Sequence, residues 1–268
     1  MTARDPAARL RLAVVFATVI QAGIAWSLFI FPPIAVAVSR VLEIDPVFVG
    51  VQGGTIFFTT IFATLYSGRI IGRLGPVRAL GLAMLFVLAG VALCLLNRIP
   101  AILLGAVCFG LSHSLTNPST AVILKQFVSD RNRSMVFSIK QCSVPLGLLA
   151  ASLVGPAIAE RFDWRFAMLP LALLQVAMLC MLPKLQELLQ DDGRGQGSEG
   201  GLLGLPLRAL RAVWANRRLR LTAFVGLSFG MCQGSILTYT SNLFAGERGL
   251  SLSQAGFILM FAHVGGIV

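Results

Sequence analysis

The sequence is poor in charged residues, and carboxylates are scarcer than cations. Charged side chains make up 12% of the 268 residues, against roughly 25% in an ordinary soluble domain, and only eleven are Asp or Glu. All eleven acids lie between the apolar runs or at their ends. This composition excludes an ordinary soluble domain and predicts a membrane protein whose apolar runs hold no central carboxylate.

The five cysteines form no recognisable pattern. All of them lie within apolar runs, and none has the CxxC spacing of a metal or redox site. The sequence also has no GxxxxGK[ST] phosphate-binding loop. We therefore expect no disulfide framework, metal, cofactor, nucleotide or enzymatic activity. The net charge of +11 does not indicate a nucleic-acid partner, because the basic residues are grouped in short segments between apolar runs.

Long apolar runs recur along the whole chain. A helix needs about 20 apolar residues to cross a bilayer, so these runs predict an all-α polytopic membrane protein. The predicted spans are 12–38, 47–66, 79–97, 99–123, 134–159, 166–182 and 221–244, with an eighth that begins near 252. Only the four residues NRIP join the third and fourth spans, which predicts a tight hairpin.

Basic residues are distributed unequally between the two sides of these spans. With a cytoplasmic N-terminus, sixteen Lys and Arg residues lie on the cytoplasmic side and five on the other, with Lys140 left out of both counts. Cytoplasmic loops of membrane proteins carry an excess of Lys and Arg. We therefore predict a multi-pass protein of the plasma (inner) membrane with a cytoplasmic N-terminus.

Residues 183–220 form the long connection between the sixth and seventh spans. Its centre, DDGRGQGSEGG, is polar and glycine-rich, as is typical of a disordered linker. A stripe of Leu203, Leu207, Leu210 and Trp214 then predicts either a basic amphipathic helix on the inner membrane face or a helical extension of the next span. The chain thus divides into a six-helix bundle at 1–182, a cytoplasmic loop at 183–220 and the start of a second bundle at 221–268.

The first and seventh spans begin alike. The string RLRL starts at Arg9 and again at Arg218, 209 residues later, and the spans that follow carry matching glycines, Gly50 and Gly256, at an offset of 206. A six-span unit repeated in parallel is an established transporter plan. We therefore expect this chain to hold one unit and the start of a second, in a protein of about 400 residues.

The segment SGRIIGRLGPVRALG, after the second span, contains a partial family signature. It resembles G-x-x-x-D-R-x-G-x-x-[RK] of the major facilitator superfamily through Gly68, Arg73, Gly75 and Arg78, with Gly72 in place of the Asp. The change at Gly72 removes the acid to which a conformational lock is usually assigned. Gly68 is expected to allow close helix packing, and Gly75 to form a tight turn.

The fifth span strengthens this resemblance. The strings FSIKQCSVPLG and PLGLLAASLVGP, followed by FDWRF, are similar to the fifth span of this family and its exit. The resemblance covers nearly the whole chain and implies a bundle of the major facilitator type, with six helices, the seventh span and part of the eighth. It also implies secondary transport by alternating access, with a small solute, the lipid bilayer and a coupling proton or ion as partners.

The family architecture places spans 1, 4 and 7 around a central cavity. The polar residues of these spans include Gln21, Trp26, His113, Asn117, Gln233 and Tyr239. His113 and Asn117 are four residues apart and share one helix face. For His113, Gln21 and Gln233, a substrate or proton site and a structural hydrogen-bonding role are both open.

Lys140 and Gln141 lie inside the fifth span, with Pro145 one turn further on. Lys140 is about 9 Å into the span, against about 15 Å to the bilayer mid-plane. Its ammonium either snorkels back to the cytoplasmic interface or binds an anionic substrate in the cavity. Because no span holds a carboxylate to pair with it, we predict an organic anion as the solute. The predicted substrate-binding residues are Gln21, His113, Asn117, Lys140, Gln141 and Gln233.

Three other functions stay open at this point. A drug/proton efflux carrier of the same superfamily usually needs a membrane-embedded acid, which the spans lack. A non-transporting sensor or inactive fragment is compatible with a chain that ends inside its eighth span. The strings GLSH and AHVGG resemble those of rhomboid intramembrane proteases, with Ser112 as nucleophile and His263 as base. However, His113 occupies the position of a rhomboid glycine, and three spans separate Ser112 and His263.

Overall fold

The computed structural model describes residues 6–128, 132–188, 211 and 213–265. Every regular element in these ranges is helical. The α-helices are α1 (Pro6–Phe29), α2 (Ala35–Leu42), α3 (Phe48–Leu74), α4 (Pro76–Leu95), α5 (Ile99–Lys125), α6 (Arg133–Gln141), α7 (Ser143–Ala159), α8 (Leu169–Leu188), α9 (Arg217–Asn242) and α10 (Leu252–Gly265). Short 3₁₀ turns cover Pro32–Ile34 and Trp164–Met168, and a π-helical turn covers Leu243–Glu247.

Seven helical segments of the described chain are long and apolar enough to cross a bilayer. They are Arg9–Phe29, Phe48–Leu74, Pro76–Leu95, Ile99–Lys125, Arg133–Ala159, Trp164–Glu187 and Arg217–Glu247. α10 follows as a shorter apolar helix of 14 residues. The prediction of an all-α polytopic fold is confirmed. The domain division stays a prediction, and most of the proposed amphipathic stripe lies outside the described residues.

The first predicted span, 12–38, is not one helix. α1 ends at Phe29, and Pro32 and Pro33 open the 3₁₀ turn that separates it from α2. A proline has no N–H to donate, and its ring clashes with the carbonyl four residues earlier. Two successive prolines therefore end α1 and leave α2 as a separate short helix.

The second span is longer than predicted. α3 continues eight residues beyond the predicted end at 66, so Gly68 and Arg73 lie on a helix and not in a loop. The turn is confined to Gly75, whose φ of 81° is easily reached only by glycine. A Cβ at Gly68 would meet no described atom within 4 Å, so the close packing predicted for Gly68 is absent from this part of the structure.

The fifth span divides at Cys142 into α6 and α7. Pro145 supplies no N–H to the carbonyl of Gln141, which is the last residue of α6. The helical hydrogen bonding is therefore interrupted directly after Lys140. This local break places the lysine in the final turn of a short helix.

Glycines bring the helices around this break into close contact. A Cβ at Gly147 of α7 would overlap the carbonyl oxygen of Ala22 on α1. In the hairpin of α4 and α5, a Cβ at Gly105 would lie 2.9 Å from the carbonyl oxygen of Gly90. Small residues at such positions let membrane helices approach backbone to backbone. The helices that carry the candidate site are thus held by direct main-chain contact.

Candidate functional site

The buried ammonium of Lys140 is the centre of the candidate site. Its side chain lies in the last turn of α6 and is 4% exposed. Nζ donates a hydrogen bond to Oδ1 of Asn117 on α5 over 2.9 Å. An ammonium held by the neighbouring helix does not reach back to the membrane surface, so the structure favours the inward-facing alternative over snorkelling.

The partner of Lys140 is a neutral amide. An ammonium has three N–H donors, and the bond to Asn117 uses one of them. An ion pair between Arg165 and Asp163 lies beyond the other end of the fifth span. A buried charge without a counter-charge is costly. Within the described ranges, Lys140 thus has a neutral amide where a counter-charge would be expected.

His113 lies one turn of α5 from Asn117, about 6 Å along the helix axis. Its side chain lines a cavity of about 470 Å³ between α3, α5 and α9. Glycines from two helices contribute to its lining: Gly50, Gly53 and Gly54 from α3, and Gly226, Gly230 and Gly234 from α9. The candidate site therefore has two neighbouring parts, a buried ammonium–amide pair and an open cavity beside His113.

The remaining predicted residues make no described hydrogen bond to this pair. Gln21 on α1 is buried, and neither its Oε1 nor its Nε2 has a hydrogen-bond partner among the described residues. Gln141 and Gln233 are exposed. The structure thus joins Lys140 to Asn117, with His113 one turn further along α5. The roles of Gln21, Gln141 and Gln233 stay predictions.

Two buried glutamines were not among the predicted site residues. Gln52 on α3 and Gln175 on α8 are each 1% exposed, and the described chain offers no partner to Nε2 of either one. A glutamine inside an apolar run is a visible signal. The prediction left out both glutamines because it considered only the spans that the family architecture places at the cavity.

His263 on α10 does not meet the serine of the protease alternative. Its Nε2 is 3.0 Å from Oγ of Ser152 on α7. Ser112 lies on α5, where its buried Oγ has no partner within the described ranges. The pairing of Ser112 with His263 is therefore wrong.

Two carboxylates lie just past the end of α7. Burial raises the pKa of Glu160, but hydrogen bonds from the side chain and backbone N–H of Ser253 outweigh it and bring that pKa below its ordinary value. Hydrogen bonds from Arg165 lower the pKa of Asp163. Both acids are ionised at neutral pH, and Glu160 lies twenty residues from Lys140, about 30 Å along the helical path.

Comparison with known proteins identifies the family. The family model described as "Major Facilitator Superfamily" matches residues 14–268. The chain belongs to this superfamily. The resemblance found in the loop signature and the fifth span is thereby confirmed. Membership and the seven apolar helices together make the protein a multi-pass integral membrane protein.

The match to individual relatives covers part of their length. The "Solute carrier family 2, facilitated glucose transporter member 12" proteins of Macaca fascicularis and Homo sapiens are each 28% identical over 155 residues, which is 56% of this chain and 25% of the relative. The chain therefore matches about a quarter of the length of these curated relatives.

Solved structures share the fold. A D-xylose-proton symporter gives a TM-score of 0.67 at 15% identity and covers 95% of this chain and 66% of its own. A peptide transporter POT in complex with sulfate gives 0.54 at 17% identity, with 83% and 46% covered. A POT family transporter in complex with 5-aminolevulinic acid gives 0.57 at 15% identity, also with 83% and 46% covered.

Proposed function

We propose that the protein transports a small organic anion as a secondary transporter that works by alternating access. Membership of the Major Facilitator Superfamily supports the transport step. The observation that carries the choice of an anion is the burial of Lys140 against a neutral amide. Because the acids of this sequence lie outside the centres of its spans, the solute is the natural source of the counter-charge.

The cavity beside His113 favours an anion that also carries hydroxyl groups. Its volume of about 470 Å³ is within the range of small-molecule sites. Thr238 and Tyr239 line it and carry hydroxyl groups that are suited to hydrogen bonding with a polyol. Relatives named for glucose and D-xylose transport point to the same solute shape. A sugar acid, with gluconate as the probe, combines these hydroxyls with a carboxylate.

Gluconate and glucose are compared in testing this proposal, because both are six-carbon polyols and only gluconate carries a carboxylate. The protein is expressed from its own gene, reconstituted into liposomes, and assayed for uptake of each labelled compound. Lys140→Gln removes the buried charge. Lys125→Gln is the control, since Lys125 is an exposed cation at the end of α5.

The proposal predicts gluconate uptake that is at least about tenfold slower in Lys140→Gln, the loss expected when a hydrogen bond to a charged group is removed. Lys125→Gln should transport gluconate at the wild-type rate. Equal gluconate uptake by the wild type and Lys140→Gln would overturn the assignment of the anion to Lys140.

A neutral sugar is a second candidate solute. Gln21, Gln52 and Gln175 are buried and have amide atoms without partners among the described residues. Amide groups of this kind both donate to and accept from sugar hydroxyls. The same assay separates the candidates, because a sugar carrier would take up glucose in preference to gluconate and would be insensitive to Lys140→Gln.

We also propose that the N-terminus is cytoplasmic and that the membrane is the inner membrane. The sixteen-to-five distribution of Lys and Arg supports this orientation. A protease added to right-side-out vesicles should leave an N-terminal tag intact. Removal of the tag in sealed vesicles would contradict the orientation.

A further inference from the structure

A bend at the start of α9 forms a groove of about 520 Å³, which we call the elbow groove. Residues 213–215 are helical, Asn216 is extended, and α9 begins at Arg217. The side-chain oxygen of Asn216 accepts hydrogen bonds from the backbone N–H groups of Arg218 and Leu219, which fixes the start of α9. The lining of the elbow groove includes Trp214, Arg217, Arg220, Leu221, Phe224 and Leu227.

One face of α9 carries first charged and then apolar side chains in this groove. Arg217, Arg220 and Phe224 follow one another at spacings of three and four residues, so they share a helix face. From Arg220 to Leu227 the helix rises about 10 Å. Phe224 and Leu227 are 67% and 58% exposed, so the described chain leaves them uncovered. The elbow groove therefore has a cationic end and an apolar end.

The two guanidinium groups of the cationic end have unused donors. Nη1 of Arg220 donates a hydrogen bond to the carbonyl of Trp214 over 3.1 Å, which uses one of its five N–H donors. Arg217 has no hydrogen-bond or ion-pair partner among the described residues. None of the residues that line the groove is acidic. The cationic end is therefore suited to binding an anion.

The cationic end lies at the level of the lipid headgroups. The apolar span begins at Arg217, so the first turn of α9 marks one surface of the membrane. Trp214 is 69% exposed, and tryptophan is enriched at this boundary because its ring is apolar and its N–H group is polar. The distribution of basic residues assigns this surface to the cytoplasmic leaflet, where anionic lipids are found.

We propose that the elbow groove binds one phospholipid with an anionic headgroup. The phosphate accepts hydrogen bonds from Arg217 and Arg220, and one acyl chain lies along Phe224 and Leu227. A choline or ethanolamine headgroup would bring a second cation beside the arginines, with no carboxylate in the groove to receive it. A free phosphate would leave the apolar end uncovered. Charge and shape together thus select a lipid such as phosphatidylglycerol.

Trp214 is the reporter that tests this site. The chain has three tryptophans, of which Trp26 and Trp164 are buried. The full chain is reconstituted into vesicles of phosphatidylcholine with a fixed fraction of phosphatidylglycerol, and one of the two lipids carries bromine, a contact quencher of tryptophan, near the carboxyl end of its acyl chains. The quenching that disappears in Trp214→Phe belongs to Trp214. Comparison of the two brominated lipids gives their relative association constants at the groove.

We expect an association constant at least about fivefold larger for phosphatidylglycerol than for phosphatidylcholine, the preference that one cation at a membrane surface contributes. Arg217→Gln should remove most of this preference. Arg218→Gln is the matched control, because it removes the same charge at the next position, which does not line the groove. It should retain the preference.

Three results would overturn the proposal. Equal quenching by the two lipids in the wild type would show that the groove does not select an anionic headgroup. Equal losses in Arg217→Gln and Arg218→Gln would show that the basic segment attracts anionic lipid only diffusely. No quenching of Trp214 by either lipid would show that something other than lipid covers the groove. The measurement uses no solute, so it is independent of the proposed transport of an anion.

Discussion

The six-helix unit meets the helices beyond the long connection in two different ways. At the contact between α7 and α10, which we call the seam, Gly256 touches the backbone carbonyl of Ser152, and His263 touches its hydroxyl. At the cavity between α3 and α9, which we call the cleft, Gly53 and Gly230 have no described atom within 4 Å of a Cβ position. Both contacts contain glycine, yet glycine permits close packing at the seam and leaves open space at the cleft.

Because one contact is closely packed and the other is open, the two are suited to different roles. A tight and directional seam is suited to holding the two units together, because close packing and hydrogen bonds both stabilise it. An open cleft beside His113 is suited to receiving a solute. The repeat-related glycines Gly50 and Gly256 both lie at contacts between the two units, with Gly50 packed against the hydroxyl of Tyr239.

The largest expected effect is that of a valine at the seam. Gly256→Val should lower the free energy of unfolding by about 1–3 kcal/mol, because the added carbons have no room beside the carbonyl of Ser152. Gly230→Val in the cleft should have little effect on stability. Thermal denaturation of the two purified variants measures the difference, and equal losses would remove the distinction between seam and cleft.

A bulky side chain in the cleft should weaken solute binding and leave the stability of the protein unchanged. Gly230→Trp fills space beside His113 and should weaken gluconate binding by about tenfold, with the free energy of unfolding unchanged. Leu173→Trp, at a side chain that is 70% exposed on α8, is the matched control. Wild-type affinity in Gly230→Trp would show that the cleft does not hold the solute.

Loss of the hydrogen bond between Ser152 and His263 should lower the free energy of unfolding by a smaller amount, and the losses from the two single substitutions should not add. Ser152→Ala and His263→Ala each remove one partner of the same 3.0 Å contact. A double-mutant cycle on the free energy of unfolding should give a coupling of about 1 kcal/mol. Ser228→Ala, which removes a local bond to the carbonyl of Phe224 on α9, should show no coupling to His263→Ala. Additive losses at Ser152 and His263 would mean that their contact contributes nothing to the seam.

The smallest expected effect is the loss of the Glu160 contribution to stability at acidic pH. The pKa of Glu160 lies below its ordinary value of 4.5, so its contribution is complete above 4.5 and is lost as the pH falls through the lowered pKa. The difference in free energy of unfolding between the wild type and Glu160→Gln should stay constant from neutral pH to 4.5 and shrink below it, because this comparison cancels the titration of His263 between the same helices. Arg40 and Asp163 line the same surface cavity as Glu160, so Glu160→Gln is the control that should remove the dependence. A transition that persists in Glu160→Gln belongs to another group.

The sequence predicted the helical fold and the shared helix face of His113 and Asn117, because both depend on local patterns. Apolar length determines the spans, and a four-residue spacing places His113 and Asn117 on one face. The inward bend of Lys140 was not predictable, since it depends on which helix lies opposite. The seam escaped prediction for the same reason. Pro156 and Gly256 are 100 residues apart, and only the packing of α10 on α7 shows that one frees a carbonyl and the other approaches it.

The central claim is that the buried ammonium of Lys140 binds the negative charge of the solute. Calorimetric titration of gluconate and of glucose into the wild type and Lys140→Gln tests it directly, because the ligand and the protein each lose one charge. Lys140→Gln is expected to bind gluconate at least about tenfold more weakly, with glucose binding changed little. The same loss for both ligands, or for neither, would contradict it.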